Sequence, residues 1–161
     1  MTAELITQEE LKSILKYNPD TGIFTWLETR GNRKAGSIAG SKDSDGYIQI
    51  KIDKKQNLAH RLAWLYILGF WPTVYIDHLN GIRNDNRFLN LREATASENR
   101  QNIKSTNSIT GYLGVTTNRK KFRANITING IRKNLGTYDT AEEASEAYLK
   151  AKRELHPYST I

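Results

Sequence analysis

Apolar and polar positions along the chain change period several times, and each change predicts an element. Leu11, Ile14 and Leu15 fall on one helical face, and Thr7-Gln-Glu-Glu10 ahead of them has the form of a capping box. The turn-forming run 18–22 (NPDTG) follows, and 23–26 (IFTW) reads as a short strand. Residues 28–46 are rich in Gly, Ser, Lys and Arg and read as a mobile basic loop, either an ordinary surface loop or one that touches phosphates. Residues 47–52 (YIQIKI) alternate, as a half-buried strand does. The most apolar helix spans 58–68 (LAHRLAWLYIL) and stops at Gly69. A short strand is predicted at 73–76. Asn80-Gly81 favours a tight hairpin reversal, Phe88 and Leu91 supply apolar anchors, and Thr95-Ala-Ser-Glu98 is a second capping box with Asn99 on the first turn of its helix.

Residues 103–110 (IKSTNSIT) are small and polar and read as a linker. Beyond it, strands are predicted at 113–117, 121–128 and 131–138, the last two joined by Asn129-Gly130, a strong two-residue hairpin turn. Thr140-Ala-Glu-Glu143 is a third capping box and opens a helix to about Leu155, with Ala144, Ala147, Tyr148, Ala151 and Leu155 as its inward stripe. With the turn at 129–130, Ile128 pairs with Ile131 and Thr127 with Arg132. Phe122, Ala124, Ile126, Ile128, Ile131 and Leu135 then share the face the helix can cover. Arg123, Asn125, Thr127, Arg132 and Asn134 share the other.

Charge sharpens the second half. Residues 101–136 hold seven Lys or Arg and no acid, within a chain of net charge +7. A one-sign field of that kind suits a polyanion, most simply nucleic acid, though it also describes a solvated basic surface. A sheet face of Arg, Asn and Thr can enter a major groove. There is no cysteine, which excludes disulfides and cysteine-held zinc. No apolar run is long enough to cross a bilayer and the polar, acidic start does not resemble a signal peptide, so a cytoplasmic protein is expected.

The chemistry concentrates in 74–102 (VYIDHLNGIRNDNRFLNLREATASENRQN), with Asp77 beside His78, then Asn90 and Asn99. Hydrolysis of a phosphodiester needs charge compensation, a nucleophile and help for the leaving alkoxide. His78 can take a proton from water near neutral pH. Neighbours in a strand point to opposite faces, so Asp77 and His78 reach one phosphate only if the strand ends or bulges there. Arg83, Arg87, Arg92 and Arg100 cluster in the same stretch and could hold flanking phosphates or simply be solvated.

The phrase DHLNGIRNDNRFLNLREAT resembles the phage and intron-type HNH nucleases that have Asn in the final motif position, and AHRLAW upstream resembles the same subgroup. The resemblance implies a homing-type endonuclease, phage-encoded and acting in a bacterial host cell. Its ββα-metal core would lie at about 71–102, with Asp77 and Asn99 as metal ligands, His78 and Asn90 as catalytic residues, and Asn90 fixing the loop that bears His78. Mg²⁺ or Mn²⁺ would be the cofactor. His60 is either a capping or packing residue near a helix end or an accessory to the site; Arg83 and Arg87 are the other candidate accessories, or are simply solvated. The phrase GVTTNRKKFRANITINGIRKNLGTYDTAEEASEAY, with Leu155-His156, resembles the DNA-binding domain of Apetala-type (ethylene-response) factors, with Phe122 where an indole or phenol ring is usual. That likeness implies double-stranded DNA contacts through Arg119, Lys121, Arg123, Asn125, Thr127, Arg132 and Asn134.

The expected architecture is therefore α+β. A mixed N-terminal region leads into the HNH core within 1–104, and 105–161 forms a three-stranded antiparallel sheet packed on one helix. The expected function is metal-dependent DNA cleavage by a monomer or homodimer. Competing readings are a non-catalytic DNA-binding regulator and an RNA-binding protein.

Overall fold

The computed structural model describes residues 5–102, 108–156 and 159. The linker core and the expected boundary at 104/105 lie outside the described residues. By its internal contacts the chain divides into two compact units, Met1–Glu93 and Ala94–Ile161. Among the described residues it is mixed α/β, with four α-helices and several small sheets.

The first unit begins with α1 (Gln8–Ile14), where Thr7 and Glu10 form the expected capping box. Leu15 leaves the helix and starts β1 (Leu15–Asn18), which pairs antiparallel with β2 (Ile23–Trp26). Helical spacing alone could not separate Leu15 from α1, because in either state it points into the core, where it is fully buried. Asn18 Oδ1 accepts from the backbone N–H groups of Asp20 and Thr21, closing the β1–β2 turn. Gly22 in that turn has φ +72°, and a Cβ there would run into the backbone of Asn86 and Arg87. That contact seats the turn beneath the loop that carries the candidate site.

The stretch read as a mobile basic loop carries turns of its own. Arg30 and Arg33 exchange both backbone hydrogen bonds, at 3.0 and 3.1 Å, and the Arg33 guanidinium lies 4.5 Å from the centre of the Trp26 ring. Next come β3 (Ser41–Lys42), β4 (Ile48–Ile52) and β5 (Lys55–Leu58), an antiparallel sheet in that order, and then α2 (Ala59–Leu68), which Gly69 ends in the left-handed conformation. Leu11, Leu15, Phe24, Ile50, Leu62 and Leu65 form the heart of this unit's core.

β6 (Tyr75–His78) pairs with β7 (Leu91–Ala94). Asn80-Gly81 is a turn, with Gly81 N–H donating to the His78 carbonyl at 2.8 Å, but it does not join two strands directly. The connection runs through 79–90 and a 3-10 turn at Phe88–Asn90. The local dipeptide bends the chain, whereas the length of the connection is set by the hydrogen bonds described below.

In the second unit, α3 (Ala96–Gln101) is capped by the Thr95–Glu98 box. β8 (Val115–Asn118), β9 (Lys121–Ile128) and β10 (Ile131–Tyr138) form a sheet in the order β10-β9-β8. α4 (Ala141–Leu155), capped by Thr140 and Glu143, packs on it through Ala144, Ala147 and Tyr148. The hairpin register is Ile128 opposite Ile131 and Thr127 opposite Arg132, with Asn129 and Gly130 both at positive φ. Two details differ from the expected pattern. The register shifts between Asn134 and Gly136, which makes Leu135 the extra residue of a bulge. Ile131 is 67% exposed and Leu155 39%, while Lys152 is buried. Ile131 adjoins the hairpin tip and Leu155 is the last residue of α4.

Candidate active site

His78 ends β6, and Asp77 precedes it; both side chains are buried. The strand stops there because Asn80 turns the chain: its Oδ1 accepts from Ile82 N–H at 2.9 Å, and Gly81 takes φ +72°. Among the groups around the buried His78 imidazole are Asn86, His60 and Tyr47. Its Nε2 lies 3.2 Å from Oδ1 of the buried Asn86. The His60 ring meets it edge-on, 5.1 Å between centres at 84°. Tyr47 lies 6.0 Å from His78 and 5.4 Å from His60. Asn86 is fixed in turn by Tyr17, whose hydroxyl donates to the Asn86 carbonyl at 2.6 Å.

The enclosure governs charge. Burial pushes the His78 imidazole below its ordinary range, against the opposing pull of the Asn86 hydrogen bond and the Asp77 and Asp85 carboxylates. His60 is held at about 3, first by burial and then by the positive charges of His78 and Arg61. Both rings are thus neutral at pH 7. With Nε2 donating to Asn86 Oδ1, the His78 lone pair resides on Nδ1.

Asn90 organises the loop behind His78. Its Oδ1 accepts from Asn80 N–H at 3.0 Å. Its Nδ2 donates to Asn80 Oδ1 at 3.0 Å and to the Asp85 carbonyl at 2.8 Å. Leu79 N–H donates to the Asn90 carbonyl at 2.9 Å. Asp85 is held at about 2, chiefly by the Arg87 guanidinium, and also accepts from Asn80 Nδ2 at 2.6 Å. Arg83 donates to the Asp45 carbonyl at 2.7 Å and lies over the Tyr47 ring. Asp77 is ion-paired: Arg92 Nε and Nη2 both reach its Oδ2, at 3.0 and 2.7 Å.

The first unit therefore gathers His60, His78, Asn90, Arg83 and Arg87 around one connection and its immediate supports. Asp77 lies beside His78 in sequence. Asn99, half-buried, is on α3 and belongs to the second unit. Tyr47, Asn86 and the Arg92 pairing were not singled out in the sequence. Tyr47 carried only the signal of an alternating strand, and Asn86 was one amide among several in NGIRNDN.

Residues 57–101 match the family model described as HNH endonuclease. The matched HNH segment includes α2 with His60, all of 79–90, and α3. No curated protein matches the chain. No solved structure matches it. Among the described residues no group of three or more His, Cys, Asp or Glu could hold a metal ion. A site built on Asp77 has a different composition, with one buried carboxylate as its hard oxygen donor. That set suits a cation that keeps most of its waters and takes few protein ligands, as Mg²⁺ does.

On the second unit, cross-strand pairing aligns Thr127 with Arg132, Asn125 with Asn134, and Thr116 with Arg123. Arg123, Thr127, Arg132 and Asn134 are exposed. Asn125 is half-buried, and its Nδ2 has no hydrogen-bond partner among the described residues. Arg119 occupies the β8–β9 turn at φ +56°. Lys121 is tied to Asp139 at 2.8 Å on the surface. An open cleft of about 790 Å³ is lined by Arg100, Asn125, Thr127 and Arg132 among others.

Proposed function

We propose that this protein is a metal-dependent DNA endonuclease of the HNH type, a site-recognising nuclease of a phage or mobile element. Its C-terminal sheet would bind double-stranded DNA as Apetala-type domains do. The observation that carries the reading is the neutral, enclosed imidazole of His78 next to Asp77, within the segment that matches the HNH endonuclease model.

In this reading Asp77 and the Asn99 amide would hold one Mg²⁺ or Mn²⁺ ion, as the resemblance to HNH nucleases implies. When bound, the ion compensates charge on the scissile phosphate and on the departing oxygen. His78 Nδ1 accepts a proton from the attacking water as the new P–O bond forms and the P–O bond to the sugar breaks. Asn86, His60 and Tyr47 hold the ring in place. Asn90 keeps 79–85 folded so that the imidazole is presented in one orientation. Arg119, Lys121, Arg123, Asn125, Thr127, Arg132 and Asn134 contact the duplex, the arginines at phosphates or guanine edges.

Supercoiled plasmid incubated with the protein should be nicked or linearised with Mg²⁺ and remain supercoiled with EDTA. Binding without cleavage in either condition would leave only a DNA-binding protein.

A further inference from the structure

Asp77 already has a cation on it. Arg92 directs Nε and Nη2 at the same oxygen, Asp77 Oδ2, and the two side chains are 22% and 6% exposed for Arg92 and Asp77. A carboxylate this buried requires a counter-charge, and a guanidinium cannot shed its proton to make room for another cation. A divalent ion that takes Asp77 Oδ2 must therefore displace Arg92 from it. Arg92 is the more exposed partner, so it has a way out toward solvent. A guanidinium released there is an efficient ligand for phosphate, which it can grip with two parallel donors. The two arginines of the 79–90 connection are held elsewhere, Arg83 by the Asp45 carbonyl and Arg87 by Asp85.

Resting on the assignment of Asp77 as a metal ligand, we propose that Arg92 is a resident counter-cation that competes with the metal for Asp77 Oδ2. DNA phosphate draws its guanidinium away, so that metal and substrate load together. Arg92 is then a positioning residue whose effect is on metal affinity before any bond is cut. By linkage, whatever DNA adds to metal affinity, metal adds to DNA affinity.

The test is Mn²⁺ binding to the full-length protein without DNA, followed by electron paramagnetic resonance. Arg92→Met should bind Mn²⁺ on the order of tenfold more tightly than wild type, within the usual range of coupling between sites. Arg92→Lys, which keeps a charge, should stay near wild type. Asp77→Asn placed in the Arg92→Met protein should abolish the gain. Mn²⁺ should also raise the melting temperature of Arg92→Met more than that of wild type, a readout that works even where the unpaired carboxylate weakens the fold. In a His78→Ala background, which slows cleavage, a short duplex should tighten Mn²⁺ binding while Arg92 is intact, and do so less once Arg92→Met is added. Asp77-dependent Mn²⁺ binding that is no tighter in Arg92→Met than in wild type overturns the competition and leaves the Asp77 assignment standing. Mn²⁺ binding indifferent to Asp77→Asn in both backgrounds removes that assignment, and this inference with it.

Discussion

His60 has a titration in the folded chain far from that of a free imidazole, and this ties part of the acid stability to one ring. In the folded protein it is held at about 3, against an ordinary value of 6.5. The unfolded chain therefore takes up a proton below pH 6.5 that the native chain refuses until about pH 3. The sign follows directly: His60 has no effect on stability above pH 6.5, and destabilises the fold progressively as the pH falls through that window. The slope is up to about 1.4 kcal/mol per pH unit, or about 2 kcal/mol between pH 6.5 and pH 5. His60→Phe keeps a ring against His78 and Tyr47 and removes the charge. Its urea midpoint should fall less than that of wild type between pH 7 and pH 5, with His78 left to supply the remaining slope. Equal falls in the two proteins would show that His60 is not a buried neutral ring.

Elements whose instructions are local were legible in the sequence. The three capping boxes at Thr7, Thr95 and Thr140 need only a hydroxyl and a carboxylate three residues apart, and all three are formed. The Asn129-Gly130 turn sets its own register, because both residues tolerate positive φ. What escaped the sequence depends on how one stretch is laid against another. β1 exists because β2 pairs with it, and the bulge at Leu135 appears only when β10 is laid against β9. Tyr47 packs on rings thirteen and thirty-one residues further on. The candidate site was legible as a set of residue types, whereas the supports of His78 were not. The β1–β2 turn is one such support, and Gly22→Ala tests it. An added Cβ must push the turn away from Asn86 and Arg87, at a φ that alanine resists. A loss of about 1–3 kcal/mol in urea unfolding is expected from strain of this kind. Slower cleavage at saturating DNA should accompany it, because Asn86 carries the hydrogen bond to His78. Unchanged stability and rate would show that the turn does not support the loop.

Across the whole molecule the net charge of +7 is unevenly spread, with 101–136 wholly basic among its charged residues. No helix among the described residues is long and apolar enough to cross a membrane. If the β9–β10 face meets DNA phosphate, affinity must fall steeply with salt, because each neutralised phosphate releases a counterion. Replacing both Arg123 and Arg132 with Ala should lower the slope of log affinity against log salt by about 2, if each contacts one phosphate. The single-turnover rate with all DNA bound should stay at the wild-type value, since neither residue is placed in the chemistry. A fluorescence-anisotropy titration at several salt concentrations measures the slope, and an unchanged slope would move the duplex to another surface.

The most direct measurement of the central claim is the single-turnover rate at which His78→Ala cleaves bound duplex in saturating Mg²⁺. If His78 is the general base, the rate should drop by about 10²–10⁴ while DNA affinity stays near wild type. Cleavage by His78→Ala at the wild-type rate would contradict the assignment of the imidazole, and with it the account of this site.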